Sequence, residues 1–256
     1  MTVAGAGTAG ALDVVPVEAI AVRVAAARAR IAAAAERAGR DPADVALVAV
    51  TKNATPMQVV AALAAGVVEF AENRVADAEA RIRAVAAALD AARFGGPPPH
   101  WRFIGHMQRN KARRAVDIFD AFDSVDSTAI AGRLNELGGA AGRILPILLE
   151  VNITVDPARS GFAPDALPEV VGDVLALPHL AVEGLMAIGP HTSDVGAQRA
   201  AFAALRTLRD GLAARYPNKP WSSLSMGMSD DFEQAIAEGS TAVRIGRALF
   251  DFDREG

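Results

Sequence analysis

The sequence contains no cysteine and only one tyrosine. Without thiols there is no disulfide framework, no thiolate metal site and no cysteine nucleophile, and a reducing, cytoplasmic compartment is the expected one. No apolar run approaches the roughly 18 residues that a membrane span requires. The longest candidate, Val59 to Val68, is followed at once by Glu69. Excess positive charge is missing too. The net charge is −4 and the isoelectric point about 5.6, which argues against sequence-independent nucleic-acid binding. The N-terminus lacks the basic segment and compact apolar stretch of a signal peptide. The four histidines, His100, His106, His179 and His191, fall in unrelated segments, so no metal site is expected.

What is present is a chain of 256 residues, 52% of them hydrophobic, with a mean hydropathy of +0.22. That suits one large α/β barrel or two small domains. Met1 to Pro16 is rich in glycine and alanine and is expected to be a disordered tail. Gly5, Gly7 and Gly10 fit the dinucleotide fingerprint G-x-G-x-x-G. No strand precedes them and no βαβ unit can enclose them, so the motif lacks its mechanism.

The organising stretch is Val45 to Lys52, VALVAVTK. Such a run is expected for a parallel strand buried on both faces. Thr55-Pro56 follows as an N-cap and first helical residue, ahead of the apolar helix MQVVAALAAG. Lys52 therefore falls where a strand leaves the sheet, the rim at which α/β folds carry their chemistry. In an apolar wall its ammonium would lose hydration and its pKa would fall, leaving free amine for a carbonyl. Read alone, it is more simply a strand-end lysine that reaches solvent.

The same alternation repeats along the chain. Val17–Ala38 reads as a long amphipathic helix. Further strands are read at Val67–Asn73, Arg102–His106, Ala121–Ser127, Ile144–Asn152, Ala181–Ile188, Ser222–Gly227 and Thr241–Gly246, with helices between them. Eight strands alternating with helices predict parallel pairing and a single (β/α)8 barrel over residues 17–256. An open doubly wound sheet is the alternative. The helix after strand 8 is missing or vestigial, and the N-terminal helix is expected to fill its place. Gly95–Pro99 reads as a surface loop.

Polar residues collect at the strand ends: Lys52, Asn73, His106, Ser127, Asn152, Ser225 and Arg244, with Gly246 just beyond. Loops after strands 7 and 8 of such barrels commonly hold a phosphate through backbone N–H groups, and a serine and an arginine suit that anion further. Two ordinary glycine turns with a capping serine would look similar. An amine and a phosphate cradle on one rim are what pyridoxal 5′-phosphate requires. The basic run Arg109, Lys111, Arg113, Arg114 reads as a solvated helix face, with a docking surface as the alternative.

The stretches LVAVTK (Leu47–Lys52), EFAENRVADA (Glu69–Ala78), WRFIGHMQRNK (Trp101–Lys111) and SVDS (Ser124–Ser127) go further. So do EVNI with RSGF (Glu150–Ile153, Arg159–Phe162), GLMAIGP (Gly184–Pro190), LSMGMSDDFEQAIAEGST (Leu224–Thr241) and VRIGRALF (Val243–Phe250). In order and content they resemble the pyridoxal phosphate homeostasis proteins, single-domain relatives of the alanine racemase N-terminal barrel. FIGHMQRNK and SMGMSDDFEQAI are the specific ones. The resemblance implies that Lys52 carries pyridoxal phosphate as an internal Schiff base. It implies that Ser225, Gly246 and the next residue hold the phosphate, that Arg244 approaches the pyridine nitrogen, and that Asn73 lies near the ring. His106 and Met186 would line the pocket. Threonine is common in the family where Arg247 stands here.

An arginine opposite the pyridine nitrogen disfavours its protonation and weakens the ring as an electron sink. Racemases with that arrangement need a second base, a tyrosine from an added β-domain and the partner subunit. The chain ends shortly after strand 8, and Tyr216 is expected on the outer ring. Binding without efficient turnover is therefore expected: a monomeric cytoplasmic carrier that stores, buffers or delivers the cofactor, with apo forms of cofactor-dependent enzymes as candidate recipients. The competing expectations are an amino-acid racemase or lyase with Lys52 as base, and a barrel that binds another phosphorylated ligand without a covalent link.

Overall fold

The computed structural model describes residues 17–154 and 156–251. The glycine-rich tail and its G-x-G-x-x-G motif lie outside the described residues. Eight parallel strands pair in chain order and close into a barrel, β1 (Ala46–Val50) against β8 (Ala242–Ile245). Between them run β2 (Glu69–Glu72), β3 (His100–Phe103), β4 (Ala121–Val125), β5 (Leu145–Glu150), β6 (Leu180–Met186) and β7 (Ser223–Met228). The outer ring is α2 (Pro56–Ala64), α3 (Val75–Ala91), α4 (Ala112–Ile118), α5 (Thr128–Ala141), α6 (Leu167–Leu175), α7 (Val195–Arg215) and α8 (Phe232–Ala237).

After β8 only α9 (Arg247–Phe250) remains, one turn long. The N-terminal helix α1 (Val17–Arg37) packs against α2, α8 and α9, and so closes the ring where a full eighth helix would stand. A helix of 21 residues does this by burying Ile20, Val24, Ala27 and Ile31, which repeat at three- and four-residue spacing. Thr55 caps α2 as expected: its hydroxyl accepts from the Gln58 amide, and Gln58 answers on the Thr55 amide.

Side chains alternate across each strand, which divides the core in two. The outward layer is aromatic and aliphatic. Phe70 stacks on Trp101 at 5.4 Å, and Phe103 and Phe119 meet edge-on at 5.2 Å beneath the helices. The inward layer is polar at several levels: Glu69, Arg102, Asp123, Ser225 and Arg244 all face the barrel axis, joined by direct hydrogen bonds. Charge at the centre of a barrel is expensive to bury, and its arrangement bears on the site.

Strand boundaries moved by up to three residues from the expected ones. The largest shift is β3, which begins at His100 rather than Arg102 because His100 pairs with Glu69 at the foot of β2. It ends at Phe103, and its continuation turns sharply at Gly105. A Cβ there would sit 2.0 Å from the Asn73 carbonyl oxygen, so only glycine lets the two chains cross this closely.

Candidate cofactor site at the barrel mouth

The strand register decides which candidate residues meet. Ala49 pairs with Ile245, so the chain leaving β1 toward Lys52 runs beside the chain leaving β8 at Gly246. A Cβ on Gly246 would lie 3.0 Å from the Val50 carbonyl oxygen, which makes glycine the residue that allows this approach. Met186, the last residue of β6, pairs with Ser225 of β7 and with Glu150, the last of β5. Lys52, Gly246, Met186 and Glu150 are thus brought to one end of the barrel, the carboxyl end of its strands.

Lys52 differs from the expectation in one respect. β1 stops at Val50, and Thr51–Ala54 form a turn closed by the Ala54 amide on the Thr51 carbonyl at 2.8 Å. The turn lifts Lys52 clear of the strand walls and leaves it exposed, so the apolar burial invoked to desolvate its amine is not there. Ser225 is the third residue of β7 rather than its end, and is fully buried. Its hydroxyl accepts from Arg244 Nη1 at 2.8 Å, while Arg244 Nη2 donates to the Ala187 carbonyl at 2.9 Å. Burial lowers the pKa of Arg244, and the carboxylates of Asp123, Asp231 and Glu150 pull the other way. A guanidinium remains a cation under such a contest.

His106 sits in the loop after β3, exposed, with Nδ1 2.7 Å from Asp126 Oδ2 and 3.2 Å from Ser160 Oγ. The Asp126 carboxylate accepts from Nδ1, which fixes the orientation of the ring. Asn73 and His106 line one hollow of about 240 Å³, with Phe103, Gln108 and Lys111. His106 also borders a second, of about 360 Å³, with Glu150, Asn152, Arg159 and Ser160. Burial, then the charge on Asp126, pushes the Glu150 carboxyl up to about 7, against Arg244 and His106.

Arg247 points to the loop after β7, where its guanidinium pairs with Asp230. Two rim residues do other work: Ser127 caps α5, and the Asn152 amide holds the carbonyls of Asp156 and Arg159. Of the basic run, Arg109 and Lys111 lie in the turn before α4 and Arg113 and Arg114 on it, Arg114 paired with Glu79. Glu72, Arg81, Asp126 and Glu150 were not singled out in the sequence. Among the described residues no cluster of His, Asp and Glu suits a metal ion, and no helix is long and apolar enough to cross a membrane.

Comparison with known proteins follows the same lines. The profile of the alanine racemase N-terminal domain matches residues 22–252. A pyridoxal phosphate homeostasis protein of Pseudomonas aeruginosa is 43% identical over 231 residues, covering 90% of this chain and 94% of its own. The chain belongs to the pyridoxal phosphate homeostasis protein family. A second member, from Escherichia coli, is 38% identical with 90% of this chain and 95% of its own covered. Among solved structures, PipY of Synechococcus elongatus with PLP bound superposes with a TM-score of 0.77 at 35% identity, over 90% of this chain and 99% of that one. Alanine racemase from Corynebacterium glutamicum shares the fold alone, at 18% identity and a TM-score of 0.64, over 91% of this chain and 61% of that one.

Proposed function

We propose that this member of the homeostasis protein family binds pyridoxal 5′-phosphate covalently through Lys52 and stores, buffers or delivers it to apo-enzymes, as a cytoplasmic monomer without efficient amino-acid turnover. The observation that carries the reading is the register of β1 on β8. It brings the chain that leads to the exposed Lys52 beside the chain that turns at Gly246, with the buried Arg244 two residues before that turn. The donor set fits the group: a primary amine for its aldehyde, glycine-lined backbone for its phosphate and a permanent cation for its ring. Relatives named for pyridoxal phosphate homeostasis and a PLP-bound neighbour support it.

The cofactor brings an aldehyde that condenses with a primary amine, losing water. Lys52 Nζ would supply the amine. Gly246 and the Arg247 amide would receive the phosphate, with Ser225 and Arg244 beneath it and toward the ring nitrogen. Asn73, His106 and Met186 would border the ring. The case against turnover rests on Arg244 and on Tyr216. The tyrosine caps the C-terminus of α7, and a Cβ on Gly172 of α6 would meet its hydroxyl at 3.2 Å, which puts it on the outer ring.

One observation favours the enzyme reading, a racemase or lyase. The His106 imidazole is held in one orientation by Asp126 at the mouth. Spectroscopy with turnover assays separates the two. A visible band on adding pyridoxal phosphate, with alanine retaining its chirality, is the carrier's result; rapid loss of optical activity is the enzyme's. Borohydride reduction and peptide mapping should place the adduct on Lys52, and Lys52→Ala should lose the band while melting like the wild type. No adduct on Lys52 would mean a phosphorylated ligand held without a covalent bond.

A further inference from the structure

Loops at a barrel mouth are usually its loosest parts, yet the turn that carries Lys52 is held from beneath on three sides. Arg81 of α3 reaches under it. Its Nη2 donates to the Lys52 carbonyl at 3.1 Å and its Nη1 to the carbonyl of Ala54. The third donor, Nε, meets Glu72 Oε1 at 2.6 Å. That same carboxylate oxygen accepts from the Thr51 hydroxyl. The first, second and fourth residues of the turn are therefore tied to one ion pair. All three nitrogens of the fork are used, an arrangement a lysine's single ammonium cannot reproduce.

The pair is costly where it stands. The Glu72 side chain is 0% exposed and that of Arg81 15%. Glu72 Oε2 is buried with no hydrogen-bond partner among the described residues. An apolar pair of similar volume would usually stabilise a fold as well or better. What apolar residues cannot do is grip two carbonyls and a hydroxyl and so set the height and heading of the turn.

We infer that Glu72 and Arg81 are positioning residues for Lys52: they fix the turn so that its amine stands over the mouth at the place where an aldehyde is presented. This rests on the reading of Lys52 as the attachment point. A displacement of about 1 Å in a reacting group can cost roughly a hundredfold, and loss of a supporting contact commonly costs tenfold to a hundredfold.

The test uses the full chain and pyridoxal 5′-phosphate itself. Arg81→Lys keeps a cation beside Glu72 but lacks the fork. It should melt near the wild-type temperature, bind the cofactor about tenfold more weakly by its visible band, and exchange the amides of residues 52–54 faster before any cofactor is added. The double variant E72Q/R81Q leaves no unpaired buried charge and should lose about a hundredfold. Because melting reports the fold and the band reports Lys52, a merely structural pair would lower the first and spare the second. A wild-type chain with a Lys52 adduct and variants whose band and exchange are unchanged would sink the clamp alone. Absence of any Lys52 adduct in the wild type would overturn both readings together.

Discussion

Arg102 and Arg244 are buried cations inside the same barrel, held in opposite ways. Arg102 on β3 lies 2.6 Å from Glu69 and 2.7 Å from Asp123, and Glu69 is shared with His100. Burial works against the Arg102 charge, and the carboxylates of Asp123 and Glu69 overcome it and hold its pKa above the ordinary arginine range. Arg244 on β8 is deeper, 4% exposed, and its hydrogen bonds go to a hydroxyl and a carbonyl. No carboxylate reaches ion-pair distance of it among the described residues. A cation satisfied by neighbouring anions is complete as scaffolding. One that is buried without such a partner marks a place where an outside group would complete the electrostatics.

The largest expected effect tests that contrast. Arg102→Met strands the carboxylates of Asp123 and Glu69 inside the barrel, and should lower stability by about 3–5 kcal/mol in urea unfolding. Arg244→Met removes a cation that has no direct ion partner, so its stability loss should be clearly smaller than that of Arg102→Met, while cofactor affinity falls about tenfold or more. Equal stability losses in the two variants would erase the distinction between scaffold and site.

Glu150 sharpens the comparison, because it is one of the carboxylates that face Arg244. Its pKa stands at about 7, raised first by burial and then by Asp126, against roughly 4.3 in an unfolded chain. The folded state therefore holds this proton more tightly. Its contribution to stability is complete below about pH 4.3, declines as pH rises, and is lost on passing through the folded value. Glu150→Gln removes that decline. At pH 8 the variant should be more stable in urea unfolding by up to about 3 kcal/mol, with little difference at pH 4. A pH slope unchanged by the substitution would show that the carboxyl ionises freely.

The barrel was legible because its signals are local. Each strand is a short apolar run, Thr55-Pro56 announces its helix, and the long first helix shows its own periodicity. Lys52, Arg244 and Gly246 could be read as candidates because each ends or follows such a run. The supporting residues could not, for a physical reason. Glu72 and Arg81 are nine positions apart but act on a hydroxyl and two carbonyls twenty to thirty residues earlier, and Asp126 meets a histidine twenty positions back. Those contacts exist only once neighbouring strands have paired. Ser127 and Asn152 do stand just past strand ends, where they serve as a helix cap and a loop brace. A polar residue at a strand end serves equally as a cap or a loop brace, and composition does not distinguish those roles from a site.

The smallest effect concerns Arg247, where the family resemblance leads one to expect threonine. The guanidinium here pairs with Asp230 and ties the loop after β8 to the loop after β7, with both side chains largely in solvent. An exposed pair contributes about 0.2–1 kcal/mol and weakens with salt. Arg247→Thr keeps the backbone N–H at the glycine turn and restores a hydroxyl there. Stability should fall by no more than that amount, the loss fading at high ionic strength, and cofactor affinity should change by less than about fivefold. A tenfold loss of affinity for pyridoxal phosphate, with affinity for phosphate-free pyridoxal unchanged, would mean that the side chain leaves Asp230 for the phosphate. Arg247 would then stand with Arg244 as a cation reserved for the ligand.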